Sequence, residues 1–173
     1  MREPASQQAV KSFLRRLGEE SRSEGRVYLT GGACAVLIGW RASTVDVDIK
    51  LAHGAESLLR AIPRLKEELQ INVELAAPDD FIPPLPDWET RSLFVERHAR
   101  IDFYHYDFYA QALAKIERAH ALDLVDVHEM LARGLVEPGR ALALFHAIEP
   151  ELYRYPAIDP ATFRKRVEQV LAQ

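Results

Sequence analysis

The sequence has a single cysteine, Cys34, which excludes a disulfide framework and any cysteine-rich zinc site. It has no run of 18 apolar residues, so nothing in it reads as a membrane-crossing helix. The opening Met1-Arg2-Glu3-Pro4 lacks the apolar stretch of a secretory signal. The expectation is a cytoplasmic protein with no membrane partner. Charge of one sign is also scarce, because 22 Lys+Arg against 26 Asp+Glu leave a net charge of −4. A protein held on a polyanion by bulk charge is therefore excluded, while a local basic groove stays open. Internal repeats and low-complexity tracts are missing too. What remains is ordinary globular material: 48% hydrophobic and 28% charged residues, neither disordered nor collagenous. At 173 residues the chain is one domain with room for a helical appendage, large enough to bury a core without crosslinks.

The pattern along the chain alternates. Val10, Phe13, Leu14 and Leu17 mark one face of a helix that ends near Gly25, and Arg26 to Thr30 reads as a strand broken by Gly31-Gly32. Ala33 to Trp40 reads as a short helix, and Val45 to Leu51 as a half-buried strand. A helix over about 55–70 is kinked or restarted by Pro63, and Ile71 to Leu75 is a further strand. Pro78 to Trp88, with four prolines and two adjacent aspartates, is a loop. Ser92 to Glu96 and Arg100 to Tyr106 form a strand pair, and from Asp107 the pattern is helical, interrupted at 134–139 and 156–160. This order predicts an α+β fold with an α/β-like core over 1–106, a small mixed sheet with flanking helices, and a C-terminal helical region over 107–173 packed on that core.

The chemistry concentrates in two short stretches, Thr30-Gly31-Gly32 and, after thirteen intervening residues, Asp46-Val47-Asp48-Ile49. On a strand, Asp46 and Asp48 share one face while Val45, Val47 and Ile49 point into the core. Two carboxylates about 5 Å apart at an effective dielectric near 20 repel by roughly 3 kcal/mol. A nearby cation, a shared proton or a divalent metal must offset that, and hard oxygen donors suit Mg²⁺ or Mn²⁺. The glycine pair is the complement. Without Cβ atoms, the N–H groups of Gly31, Gly32 and Ala33 can approach a phosphate at a helix start. The bland alternatives are a solvated Asp-x-Asp face and a simple turn, and joint occurrence at this spacing favours the site.

Other residues carry weaker signals. Asp102, within Arg100-Ile101-Asp102-Phe103-Tyr104, either completes a carboxylate trio beside Val45–Leu51 or pairs with Arg100 or His98 at the surface. Lys115, Arg118, Asp123 and Asp126 share one broad helix face, where Lys115 can meet phosphates and Asp123 can orient Lys115 or Arg118; the alternative is a solvated salt-bridged stripe. The histidines form no zinc spacing, and His128 falls at an apolar, core-facing helix position. Tyr104, Tyr106 and Tyr109 can stack on a base or serve as core.

Taken together, Tyr28-Leu29-Thr30-Gly31-Gly32, Arg41-Ala42-Ser43-Thr44 and Asp46-Val47-Asp48-Ile49 resemble the nucleotidyltransferase superfamily of DNA polymerase beta. More narrowly, the chain looks like small prokaryotic nucleotidyltransferases related to abortive-infection and toxin proteins. Leu113-Ala114-Lys115-Ile116-Glu117-Arg118, Asp123-Leu124-Val125-Asp126-Val127 and Leu152-Tyr153-Arg154-Tyr155-Pro156 extend the likeness over most of the chain. The resemblance implies Mg²⁺ or Mn²⁺ on Asp46, Asp48 and Asp102, the last as base for the attacking group. It implies NTP contact by Gly31, Gly32, Arg41, Ser43, Thr44 and Lys115, with Lys115 and Asp123 from the helical region in the catalytic set. The implied activity is transfer of a nucleoside monophosphate from an NTP to a hydroxyl of an RNA 3′ end, a protein or a small molecule. The alternative is a weakly catalytic antitoxin or sensor module working through a protein partner, since Leu122 stands where the toxin relatives carry a basic residue. A metal-dependent phosphohydrolase, whose first aspartate follows the opening strand directly, fits less well.

Overall fold

Alternating side chains make each strand two-faced, and the burial pattern shows which face is the core. In the computed structural model, which describes residues 2–172, the strands in chain order are β1 (Ala5–Ser6), β2 (Gly25–Thr30), β3 (Ser43–Thr44), β4 (Asp46–Ala52), β5 (Asn72–Leu75), β6 (Leu93–His98) and β7 (Ile101–His105). Five of them form a mixed sheet in the order β5-β4-β2-β7-β6, while β1 and β3 form a separate antiparallel pair. β2 is antiparallel to β4 and parallel to β7, β4 is parallel to β5, and β6 is antiparallel to β7 with an irregularity between Phe94 and Glu96. The result is an α+β fold, a small mixed sheet flanked by helices.

The chain divides into two compact units. One runs through Ala77 and returns for Ser92–Tyr106; the other takes Pro78–Arg91 and everything from Asp107 onward. The chain passes from one unit to the other after Tyr106, and the proline-rich segment groups with the helices. Within the helical unit the Tyr155 hydroxyl donates to the Asp79 carbonyl at 2.9 Å, which ties that segment down.

In the sheet unit, α1 (Gln7–Glu19), α2 (Gly32–Ile38) and α3 (Ile62–Leu69) supply the apolar partners of one sheet face. Ser6 caps α1 by accepting from the Ala9 N–H at 3.2 Å, and α1 buries Val10, Phe13, Leu14 and Leu17. Its Gly18 lies so close to β6 that a Cβ there would sit 2.5 Å from His98 Cβ. Val27, Leu29, Val47, Ile49, Ile101 and Phe103 are fully buried on the same sheet face. The opposite face carries Arg26, Asp46, Asp48, Lys50, Asn72, Asp102 and Tyr104, all half-buried. A 3-10 turn at Ala55–Arg60 precedes α3, and Pro63 stands in the first turn of that helix, where a missing N–H costs nothing.

The helical unit holds α4 (Trp88–Arg91), α5 (Phe108–Arg118), α6 (Ala121–Ala132), α7 (Pro138–Ile148) and α8 (Pro160–Leu171). Asp107 caps α5 by accepting from the Tyr109 N–H at 3.1 Å, and its Oδ2 accepts from Arg91 at 2.7 and 3.0 Å. Burial works to raise the Asp107 carboxyl above its ordinary range, and the Arg91 contacts only partly oppose it. Phe145 of α7 and Phe163 of α8 meet edge to face at 4.9 Å. His128 is exposed and bonds back to the Leu124 carbonyl at 3.0 Å; the buried positions of α6 are Asp123, Asp126, Val127 and Met130, so the core-facing stripe is displaced from where hydropathy alone puts it. Among the described residues, no helix is long and apolar enough to cross a membrane.

His105, at the end of β7, is 8% exposed, and burial lowers its pKa to about 4. The unfolded chain then takes up a proton near pH 6.5 that the native state refuses, so stability is full above that pH and falls as the pH drops toward about 4. A shift of this size corresponds to about 3 kcal/mol. Urea unfolding across pH 7 to 4 should show this slope in the wild type and a flatter one in His105→Gln; identical slopes would remove His105 as its cause.

Candidate functional site

Register brings the two sequence stretches together. Thr30, the last residue of β2, has Asp48 as its Cα partner on β4. The chain leaving β2 therefore turns directly above the acidic end of β4. Gly31 makes that turn at φ 62° and ψ −133°, a conformation that side-chain-bearing residues rarely adopt. A Cβ on Gly31 would stand 3.2 Å from Asp48 Oδ2. A Cβ on Gly32 would stand 2.0 Å from Thr44 Oγ1 and 3.1 Å from Arg41 Nη1. Both glycines are thus demanded, the first by dihedral and the second by volume. The N–H groups of Cys34 and Ala35 bond back to the Gly31 carbonyl at 3.1 and 3.3 Å, which holds the bend shut.

The acidic pair is positioned by what surrounds it. Val47 and Ile49 anchor β4 in the core, which turns Asp46 and Asp48 to the other face. Asn72, the Cα partner of Asp46 on β5, donates from Nδ2 to Asp46 Oδ1 at 2.6 Å and to Glu74 Oε1 at 3.1 Å. The Thr44 hydroxyl donates to the Asp46 carbonyl at 2.9 Å, which joins the residue under Gly32 to the start of β4. Ser43 is exposed on the alternate side of β3. Two half-buried carboxylates on one strand face, beside a bend cleared of side chains, are a donor set and a cradle that suit a hard divalent cation.

Asp102 does not join them. On β7 its Cα partner in β2 is Arg26, whereas Asp48 faces Thr30 four residues further along the same strand. That is about 13 Å along the strands and, with β2 lying between, about 10 Å across them. β7 pairs with β2 and β6, not with β4, and Asp102 Oδ1 accepts from Arg97 at 3.0 Å. The surface pairing expected for Asp102 is real, but its partner is Arg97; His98 pairs with Glu96 instead. Among the described residues no three His, Cys, Asp or Glu side chains converge as a ligand group.

Lys115 and Asp123 lie in the helical unit and meet each other there. Lys115 Nζ donates to Asp126 Oδ2 at 2.8 Å and to Asp123 Oδ1 at 3.3 Å, and Arg118 contributes two further bonds to Asp123 at 2.7 and 2.6 Å. Burial alone would raise the Asp123 carboxyl, but the Arg118 hydrogen bond and the Lys115 charge outweigh it and hold the group below its ordinary range. Lys115, Asp123 and Asp126 are all buried. The stripe is an internal ion cluster joining α5 to α6, neither a solvated face nor a lone lysine presented to phosphate. Asp126 lies on the face its spacing predicts, though the sequence carries no signal of its role, and the only signal for Asn72 is its place in the strand 71–75.

Compared with protein-family models, curated proteins and solved structures, the chain matches none of them significantly.

Removing one member of a buried ion cluster strands the others, at a typical cost of about 3–5 kcal/mol. Lys115→Met is expected to lose stability of this order in urea unfolding, and adding Asp126→Leu is expected to recover part of it. A loss under about 1 kcal/mol in the single variant would show that the cluster contributes as an ordinary surface stripe does.

Proposed function

We propose that the chain is a divalent-metal-dependent nucleotidyltransferase that moves a nucleoside monophosphate from an NTP to a hydroxyl acceptor. The observation that carries this reading is the approach of the Gly31 bend to Asp48 Oδ2, with the vacant Cβ position 3.2 Å from that oxygen. A glycine turn this close to a carboxylate pair brings backbone N–H groups that can meet an anion next to oxygens that can meet a cation, the two partners that a triphosphate with its metal requires.

In this reading Asp46 and Asp48 hold Mg²⁺ or Mn²⁺. The bound ion supplies charge neutralisation for the triphosphate and lowers the cost of building negative charge on the leaving pyrophosphate. The chain's own residues do the rest. The Gly31-Gly32 backbone offers a close approach to phosphate oxygens, and Arg41, beside Gly32, offers a fixed positive charge for the same oxygens. Asn72 fixes the rotamer of Asp46 through Oδ1. The acceptor oxygen forms a bond to the α-phosphorus as the bond to pyrophosphate breaks. The acceptor's proton passes to a carboxylate of the pair, since Asp102 is out of reach. Most of the rate enhancement then comes from in-line positioning and electrostatics. Lys115 and Asp123 keep the helical unit intact and take no part in transfer.

Titration calorimetry with each NTP in Mg²⁺ is expected to show metal-dependent binding by the wild type and none by Asp46→Ala or Asp48→Ala. Wild-type protein that binds no NTP in the presence of Mg²⁺ or Mn²⁺ would overturn the reading. Gly32→Ala should also abolish transfer, because its methyl would overlap Thr44 and displace the bend. A circular dichroism melt separates that loss from unfolding, and Gly39→Ala, a strained glycine with open space around its Cβ position, serves as the stability control.

A further inference from the structure

The sheet face that carries Asp48 also carries a row of aromatic rings. Phe94, Tyr104 and Tyr28 are successive Cα partners across β6, β7 and β2, and the row ends at Lys50 on β4. Tyr28 and Tyr104 stack at 5.5 Å, Phe94 meets Tyr104 edge to face at 5.7 Å, and the Arg26 guanidinium lies over the Tyr104 ring at 5.4 Å. Tyr28 is buried, but Phe94 is 58% exposed on the last strand of the sheet. A large exposed ring at the end of an aromatic row, with the Arg26 guanidinium over the neighbouring Tyr104 ring, combines π surface with positive charge, while Arg97, one register level away, is paired with Asp102 and Glu24. That combination suits unstacked nucleobases joined by phosphates.

We propose that this face binds the 3′-terminal nucleotides of a single-stranded RNA, with bases stacked on Phe94 and on the Arg26 guanidinium. The inference rests on the nucleotidyltransferase reading and names its acceptor. The row begins one register step, about 7 Å, below the Thr30–Asp48 level and runs away from it across the sheet. An RNA whose terminal ribose reaches Asp48 passes over the buried Tyr28 and brings its preceding bases to the exposed Phe94 end of the row. RNA is favoured over DNA by Asp102, two residues before Tyr104 on the same face, whose carboxylate can accept from a ribose 2′-hydroxyl that deoxyribose lacks.

The test is fluorescence anisotropy with a labelled penta-adenylate RNA and its DNA counterpart, run beside the NTP calorimetry. Phe94→Ala is expected to weaken RNA binding roughly 5- to 100-fold, Phe94→Trp to restore it, and Arg26→Gln to weaken it and flatten its salt dependence. The DNA oligomer is expected to bind several-fold more weakly than the RNA, with the difference lost in Asp102→Asn. Wild-type protein that binds NTP with Mg²⁺ but not the RNA would overturn this inference and leave the transferase reading standing. It would equally be overturned by unchanged affinity in Phe94→Ala and Arg26→Gln, by equal binding of RNA and DNA, or by a wild-type dimer in sedimentation that Phe94→Ala dissolves while the RNA stays unbound.

Discussion

The pairing of Thr30 with Asp48 across the β2–β4 ladder is the constraint on which the rest of the site depends. It places the end of one strand above the acidic residues of its neighbour. A one-residue slip would invert β4 and send both carboxylates into the apolar core beside Val27 and Leu29. Val47 and Ile49 prevent the slip, because burying them is worth far more than any alternative register can return. The charged site is thus held in place by the uncharged residues between its members. Thr44 extends the same logic outward: one hydroxyl bonds the start of β4 while its bulk forbids anything larger than glycine at position 32.

The helical unit uses charge in another way. Three buried ionic side chains, Lys115, Asp123 and Asp126, with Arg118 at the rim, hold α5 and α6 together where a greasy seam would be expected. Such a cluster gives little net stability relative to well-packed apolar residues, but it is intolerant of partial loss. It also sets the angle between two helices joined by a turn at Ala119 and His120, since each hydrogen bond has a direction that apolar packing lacks.

Much of this was legible beforehand. The elements followed from hydropathy period and from glycine and proline, and the closeness of the double glycine to the Asp-x-Asp followed from a strand–bend–helix–strand order. Asp102 shows where such reasoning stops. Its strand was visible, but strand order in a sheet is set by tertiary packing, and periodicity holds no information about whether β7 lies beside β4 or beside β2. Asn72 shows a related limit, since its role comes entirely from facing Asp46 across a parallel ladder between segments 26 residues apart. His128 shows the opposite limit. The apolar period of α6 points it inward, whereas the ion cluster turns that helix so that two aspartates face inward and Leu122 and Val125 face out.

The irregularity in β6 has a consequence for the sign of the charge at its centre. Phe94 pairs with Tyr104 and Glu96 with Phe103, so Val95 is the surplus residue and Arg97 arrives opposite Asp102. In an unbroken ladder the partner of Asp102 would have been Glu96, a repulsive pairing of two acids. Bulging Val95 out of the ladder, where pairing it would set an anion against an anion, places a cation opposite Asp102, and it does so without changing a single side chain. The charge complementarity at that end of the ladder therefore resides in where the strand bulges as much as in its composition.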